Sequence, residues 1–370
     1  MYEGAAFPSP EALMACRGLA RLKPLEEPMA QFYAELGLHR LLSHHPWRVR
    51  DPSEATLFYV PVLPHLDQDA GRCNGTGHKA RMMQVASALQ ASPAWQRRNG
   101  TDHVWACTCV MMRSMLTNSL WELLRTAVHA VHSVPRGKAS PSACQLTIPY
   151  FNPTFASISP SARMPGLVRS TLAHFRGRVM NRVRSVLVKR YQGVRGFLVQ
   201  AAHPSTAARC NLNKCNRKAM AKVGFFPERH FAEMTTSTFC LVPVGDSPPS
   251  SRLYLAVAAG CIPVFISDGF KGAFSPIVPW DTFSLRIPEK NLLDPGFNLT
   301  DKLISVATDH ATLFQLQHSL REHAADVLYE VSGSRLADHF LQSAYMAVSQ
   351  VCSPWANSNA TLGISWDRGA

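Results

Sequence analysis

The sequence predicts an α/β protein built from two successive parallel sheets with helices on both faces. Three observations predict it. The chain has 370 residues, more than one hydrophobic core usually supports, so two domains are expected. Apolar residues make up 46% and charged residues 17%, the balance of a packed globular chain rather than a disordered one. Short apolar runs alternate with stretches of helical periodicity, the pattern that parallel strand–helix–strand units produce.

The elements follow in order. Residues 9–22 and 28–45 space their apolar positions as helices do. "EATLFYVPVL" (54–63) reads as a strand, 78–92 as a helix and "DHVWACTCVMM" (102–112) as a strand. "SLWELLRTAVHAV" (119–131) reads as a helix throughout, and "QLTIPYF" (145–151) closes this half. The Pro- and Ser-rich stretch 151–166 reads as a linker. Beyond it come a strand at 170–177, a helix at 179–192, a strand at 196–202, a polar connection at 211–222 and a helix at 227–237. Two buried strands, 238–244 and 259–267, flank a helix. "DTFSLRIP" (281–288) reads as a last strand and 301–329 as one long helix. The expected division is 1–165, 166–350 and a tail at 351–370, with no internal repeat.

Net charge is +13 and the pI is near 9.5, which favours an anionic partner. The basic residues are dispersed, with no nucleic-acid-binding motif and no basic tail, so nucleic acid is not the expected partner. The 10 cysteines do not define a disulfide scaffold at this length. Cys240 and Cys261 sit in apolar runs and read as core thiols. Cys210 and Cys215 read as a disulfide if the compartment is oxidising. Asn74, Asn99, Asn298 and Asn359 each open an Asn-x-Ser/Thr acceptor, a weak pointer to the secretory lumen. Asp67-Gln68-Asp69 has the look of a carboxylate pair for a divalent ion, but reads as a solvated loop. His129 and His132 read as a helix surface or core pair, with no third ligand apparent. No metal site is expected.

One turn carries chemistry. "GDSPPSSR" (245–252) lies between a buried strand and a helix. The first turn of that helix leaves the amides of Ser250, Ser251 and Arg252 without internal partners, which with the helix dipole makes an anion site. Ser247 and Ser250 can cap those amides or donate to phosphate. Arg252 can fork onto a phosphate. Gly245 allows close backbone approach. Read from the local pattern alone, an ordinary capped helix with a surface arginine explains the turn as well.

"STFCLVPVGDSPPSSRLYLAVAAGCIPVFISD" (237–268) resembles the central motif of the exostosin family, glycosyltransferase family 47. "RDPSEATLFYVP", "WQRRNGTDH", "STLAHFRG" with Arg182 and Arg184 downstream, and "VPWDTFSLRIPE" resemble further family segments in the right order, so the likeness spans about Phe32 to Tyr329. The resemblance implies a GT-B arrangement, two Rossmann-like domains facing across a cleft. It implies an inverting transferase that moves a sugar from a nucleotide sugar (a UDP-sugar by preference) to a glycan or glycoprotein acceptor without an essential metal. It also implies the Golgi lumen or membrane. This sequence shows no leader or apolar span, so membrane association would run through a segment outside it.

Donor-side candidates are then Arg178, Gly245, Asp246, Ser247, Ser250, Arg252 and Glu289, the last for ribose hydroxyls at a strand's carboxyl end. Asp102 and His103 are the candidate base: either can take the proton, Asp102 can orient His103, or both can brace their loop. Asp246 is a third candidate, with helix capping favoured. The chain departs from the family pattern at Thr101, Val244, Ser251 and Leu255, three of which are commonly Arg or part of an Arg pair and one Asp. An altered donor or a lost activity would fit, so a non-catalytic glycan- or nucleotide-binding relative is the alternative.

Overall fold

A computed structural model describes residues 6–16, 33–107, 115–132, 144–152, 155, 158–202, 227–245, 248 and 250–351. The first sheet has four parallel strands: β1 (Phe58–Val60), β2 (His103–Ala106), β3 (Val128–Val131) and β4 (Gln145–Thr147), in that spatial order. Its helices are α1 (Pro10–Met14), α2 (Ala34–Ser43), α3 (Pro64–Ala70), α4 (His78–Ala91), α5 (Pro93–Arg98) and α6 (Asn118–Leu123).

The second sheet has five parallel strands: β5 (Thr171–Arg178), β6 (Phe197–Ala202), β7 (Ser237–Pro243), β8 (Ile262–Ile266) and β9 (Leu285–Arg286). Its spatial order is β6-β5-β7-β8-β9. The helices after the first sheet are α7 (Arg182–Tyr191), α8 (Pro227–Thr235), α9 (Ser251–Ala258), α10 (Glu289–Leu293), α11 (Leu299–Thr308), α12 (His310–Val327) and α13 (Leu336–Met346).

The strand order decides where a ligand can sit. The chain leaves β5 to one side for β6, then crosses back to β7 on the other side. In parallel sheets ligands bind at such a switch point, which here lies at the carboxyl ends of β5 and β7. The order is the flavodoxin-like one, which refines the Rossmann-like expectation for this half.

The two sheets share one apolar cluster. Phe151 packs edge-on against Tyr329, and Tyr150 stands 6.1 Å from Tyr254 of α9. The Phe274 amide donates to the Thr147 carbonyl at the end of β4. Helix α13 returns to the first sheet, where Phe340 meets Tyr59 and Asp338 pairs with His45.

Several elements differ from the sequence reading. The predicted helix at 119–131 stops at Leu123, and Val128–Val131 forms β3. This segment is apolar at nearly every position, and such a run fits a buried strand as well as a helix. His129 and His132 therefore sit on and just past a strand, His129 stacked on Trp105 at 4.2 Å and His132 on Tyr150 at 3.5 Å. The long helix at 301–329 breaks at Asp309, whose side chain caps α12 through the Thr312 amide. The strand at 281–288 shrinks to two residues behind a 3-10 turn. The linker contains a 3-10 turn whose Arg163 is buried and donates to the Ala258 carbonyl.

Cys240 and Cys261 are not thiols but a disulfide joining β7 to the start of β8. Cys16 and Cys73 form another, and Cys107 and Cys144 are also disulfide-bonded. Cys210 and Cys215 lie outside the described residues. Asp67-Gln68-Asp69 is not a solvated loop: it lies in α3, with Asp67 clamped by Arg81 and His78 and Asp69 accepting from the Tyr33 hydroxyl. Burial makes these partners obligatory, since an unpaired buried carboxylate costs several kcal/mol.

Candidate functional site

The switch-point crevice holds most of the donor-side candidates. β7 ends at Pro243, and the Val244 amide extends the ladder by donating to the Ile266 carbonyl. Ser250 is the N-cap of α9, with extended backbone, and its carbonyl accepts from the Leu253 amide. Its side chain makes no capping bond, contrary to the sequence expectation; the buried Oγ has no hydrogen-bond partner among the described residues. Gly245 is half-buried at the end of β7. Asp246 and Ser247 lie outside the described residues.

Arg252, the second residue of α9, points back under β5. Its guanidinium carbon stands 5.7 Å from the centroid of the Phe175 ring. Gly177 of β5 lies directly beside it: a Cβ there would sit 3.0 Å from Arg252 Nη2 and 3.1 Å from the Phe175 ring. Gly177 is therefore a strand residue that makes room for a guanidinium, not part of a turn. Burial, with the Arg184 charge nearby, lowers the Arg252 pKa to about 9. No hydrogen bond or ion pair joins Arg252 to any described residue. A desolvated cation of this kind is costly unless an anion joins it.

The surroundings are cationic and mostly committed. Arg184 donates through Nε to the Val244 carbonyl, through Nη2 to that of Pro243 and through Nη1 to that of Arg178. Asn181 caps α7 and donates to the Val244 carbonyl at 2.8 Å. Together they tie the carboxyl ends of β5 and β7. Arg176 forks onto Glu233 of α8 at 2.7 and 3.0 Å, and His174 and Arg229 bond the same carboxylate. Burial raises the Glu233 pKa, but the Arg176 and Arg229 bonds outweigh it and hold the group ionised. Burial drives His174 to about 4 and His230 to about 3, and the Arg252 and Arg176 charges add to both shifts. Both rings are neutral at pH 7.

Sequence reasoning missed Asn181, His174, His230 and Glu233. A signal existed: strand alternation puts His174 and Arg176 on one face of β5, facing the acid on the helix before β7. Arg178, expected just past the strand, is the last residue of β5, and its side chain is exposed. Glu289 opens α10, beyond β9 and beside Asp268, two residues past β8. The Asp268 amide donates to its Oε1 at 2.9 Å, and its own amide donates to Asp268 Oδ1 at 3.0 Å, so its carboxylate is held in place.

Asp102 and His103 are elsewhere. They open β2 at the amino end of the first sheet, both fully buried. Asp102 pairs with His103 Nδ1 at 2.7 Å and accepts from Arg97 at 2.7 Å. His103 stacks on Phe58 and meets Trp95 edge-on. Burial raises the Asp102 pKa, yet the His103 and Arg97 bonds outweigh it and hold the carboxyl below its usual range. The two residues brace the entry to β2. They lie at the amino end of the sheet, away from the carboxyl ends of the strands where parallel sheets bind ligands.

A different acid–base set sits at the carboxyl end of β1. Glu35 is fully buried, and its Oε1 accepts from the His65 and Leu66 amides at the start of α3. Burial pushes its pKa well up, and Asp69 and Asp67 push it further. His65 Nε2 lies 3.6 Å from Asp69 Oδ2, and Asp69 accepts from Tyr33 at 2.6 Å. Just past β3, the His132 ring stacks on Tyr150, which stands next to Tyr254 of α9. This end of the first sheet therefore faces the helix that carries Arg252. Among the described residues no cluster of His, Cys, Asp and Glu is arranged to hold a metal.

The exostosin GT47 domain model matches residues 15–302, which takes in both sheets. The chain belongs to the exostosin GT47 family. Among curated relatives, the probable beta-1,4-xylosyltransferase IRX10 of Arabidopsis thaliana is 26% identical over 282 residues, covering 70% of this chain and 63% of that protein. The probable glucuronosyltransferase GUT1 of Oryza sativa subsp. japonica is 27% identical over 270 residues, covering 70% of this chain and 62% of that one. The chain thus spans about three fifths of the length of these exostosin relatives. A solved structure of S. aureus TarM aligns with 73% of this chain and 60% of its own at 11% identity, with a TM-score of 0.36, too slight to carry an argument.

Proposed function

We propose that this exostosin-family chain is an inverting glycosyltransferase. It binds a nucleotide sugar, a UDP-sugar by preference, in the crevice between β5 and β7. It passes the sugar to a hydroxyl of a glycan or glycoprotein acceptor lying against the carboxyl ends of the first sheet. One observation carries the reading: Arg252 is a partly buried guanidinium at the strand-order switch point with no counterion among the described residues. A diphosphate leaving group is the anion that such a crevice takes, with the α9 amides as further donors. Arg178 is free to reach it, and Glu289 faces the ribose.

The charge on the leaving group is then met by Arg252 and amides rather than by a divalent ion, so activity should persist in EDTA. The acceptor hydroxyl attacks the anomeric carbon as the bond to the diphosphate oxygen breaks. His65, with Asp69 behind it, takes the hydroxyl proton. The disulfides are in keeping with an oxidising compartment such as the secretory lumen. No helix among the described residues is long and apolar enough to cross a membrane.

The test is a panel of nucleotide sugars scored for thermal stabilisation and for release of nucleoside diphosphate, with Mn²⁺ and with EDTA. Stabilisation by one donor that is lost in Arg252→Ala supports the site. Val244 is buried among apolar side chains where relatives commonly carry arginine, which favours a second reading. Stabilisation with no transfer or hydrolysis from any donor would make the chain a nucleotide-sugar-binding relative instead. His65→Gln should abolish transfer while leaving donor binding intact; transfer at the wild-type rate removes His65 as the base.

A further inference from the structure

Three of the Asn-x-Thr acceptors fall among the described residues, and the fold treats them differently. Asn74 and Gly75 form the tip of a two-residue turn, with φ of 48° and 78°. The Cys73 and Thr76 backbones exchange two hydrogen bonds of 2.9 Å across it. That is the tight hairpin turn that Asn-Gly favours, and it stands on the Cys16–Cys73 disulfide. Asn99 ends α5 in the left-handed conformation, with φ of 49°. Gly100 follows with φ of 75°, and the Trp95 ring fills the space where its side chain would be. Both asparagines are exposed, and neither carboxamide bonds to a described residue. A substituent on either Nδ2 would extend into solvent without moving anything.

Asn298 is also exposed, but its carboxamide is in use. Its oxygen accepts from the Thr300 and Asp301 amides as the cap of α11, and its nitrogen donates to Asp301 Oδ2 at 2.7 Å. Its acceptor threonine lies inside the first helical turn. The six described cysteines are all in disulfides, as expected of a chain that matures where oligosaccharides are attached to asparagine.

We propose that the protein carries N-linked oligosaccharides on Asn74 and Asn99, with Asn298 kept as an unmodified helix cap. The co-substrate is a lipid-linked oligosaccharide diphosphate. Asparagine Nδ2 bonds to the anomeric carbon of the oligosaccharide, the carbon–oxygen bond to the lipid diphosphate breaks with its electron pair, and one amide proton is released.

The full chain, led into the secretory pathway of a cultured eukaryotic cell by an added signal sequence, is treated with a glycan-releasing amidase in ¹⁸O-water and its peptides are weighed. The amidase converts each modified asparagine to ¹⁸O-labelled aspartate. Label at Asn74 and Asn99 and none at Asn298 is the expected result. N74Q and N99Q should each gain one step in gel mobility, and the double variant should match the amidase-treated protein. N298Q should leave mobility unchanged and lower the unfolding temperature. Absence of label at either Asn74 or Asn99 in secreted, disulfide-bonded protein overturns the assignment there. Label at Asn298 overturns its role as a bare cap.

Discussion

Two regions of the molecule bury charge, and they do so in opposite ways. At the amino end of the first sheet, Asp102 is satisfied from two sides, by Arg97 and by His103. At the carboxyl end of the second, Arg252 is set against a phenyl ring and a glycine with no described counterion. The first arrangement is complete as it stands and needs nothing from outside. The second has no counterion among the described residues, and on the proposed function a bound diphosphate would supply one. The sequence already favoured the turn that carries Arg252 and left Asp102 and His103 open between a base and a loop brace; completeness of pairing, which sequence does not display, is what separates the two regions.

The largest expected effect breaks the paired region. Asp102→Ala leaves His103 buried and Arg97 without its carboxylate, and removing one partner of a buried ion pair costs about 3–5 kcal/mol. Chemical denaturation should show that loss. Any activity measured on the folded fraction should be unchanged. A stable variant with dead chemistry would return Asp102 to the list of candidate bases. Arg252→Ala should do the opposite. Removing a donor to developing charge raises the barrier by about 2.7–4 kcal/mol, roughly a 100- to 1,000-fold loss of turnover. Stability should hold or rise, because a desolvated cation has gone. Marked destabilisation with normal turnover would make Arg252 a packing residue and erase the contrast.

Gly177→Ala sharpens the comparison from the backbone side. The new methyl would meet Arg252 Nη2 at 3.0 Å and the Phe175 ring at 3.1 Å. Overpacking of this sort costs about 1–3 kcal/mol, and here it acts through the guanidinium, so donor binding should weaken more than stability falls. The reverse order of effects would mean that the Phe175 contact, not the Arg252 contact, sets the need for glycine.

Much of this was legible in the sequence, for identifiable reasons. Strand–helix alternation set the class, and a strand followed by a polar turn and an arginine marked out the candidate anion site. What escaped detection depended on distance along the chain. His174, Arg176 and Glu233 converge from β5 and α8, 57 to 59 residues apart. Asp67 is buried because Arg81, 14 residues on, clamps it, and a triplet motif does not show its counterion. Val128–Val131 was lost to the surrounding helix pattern because a fully buried strand has no alternation to reveal it. The family motifs pointed to the turn after β7, yet the strand order that sets this turn at a switch point comes from how β6 and β7 pair with β5.

The smallest effect reads the incomplete region through its protons. His174 and His230 have folded pKa values of about 4 and about 3, well below the ordinary value near 6.5. Above pH 6.5 both are neutral whether the chain is folded or not. As pH falls through 6.5 the unfolded chain takes up protons that the folded chain refuses, so stability declines with falling pH until the folded rings also protonate. By pH 5.5 each ring contributes a loss of about 1 kcal/mol. Glu233 acts lower, since its depressed pKa costs stability only below the carboxylate range. Other buried histidines, His129 among them, shift in the same direction but lie outside the crevice. A diphosphate beside Arg252 would raise the folded pKa of His174 and His230, because the Arg252 charge that helps to depress both would be neutralised. Unfolding measured from pH 7.5 to 5.5 with and without saturating UDP should therefore show a shallower decline with the nucleotide. Parallel declines would put the bound anion away from these rings, and the unpaired guanidinium would lose its claim to the diphosphate.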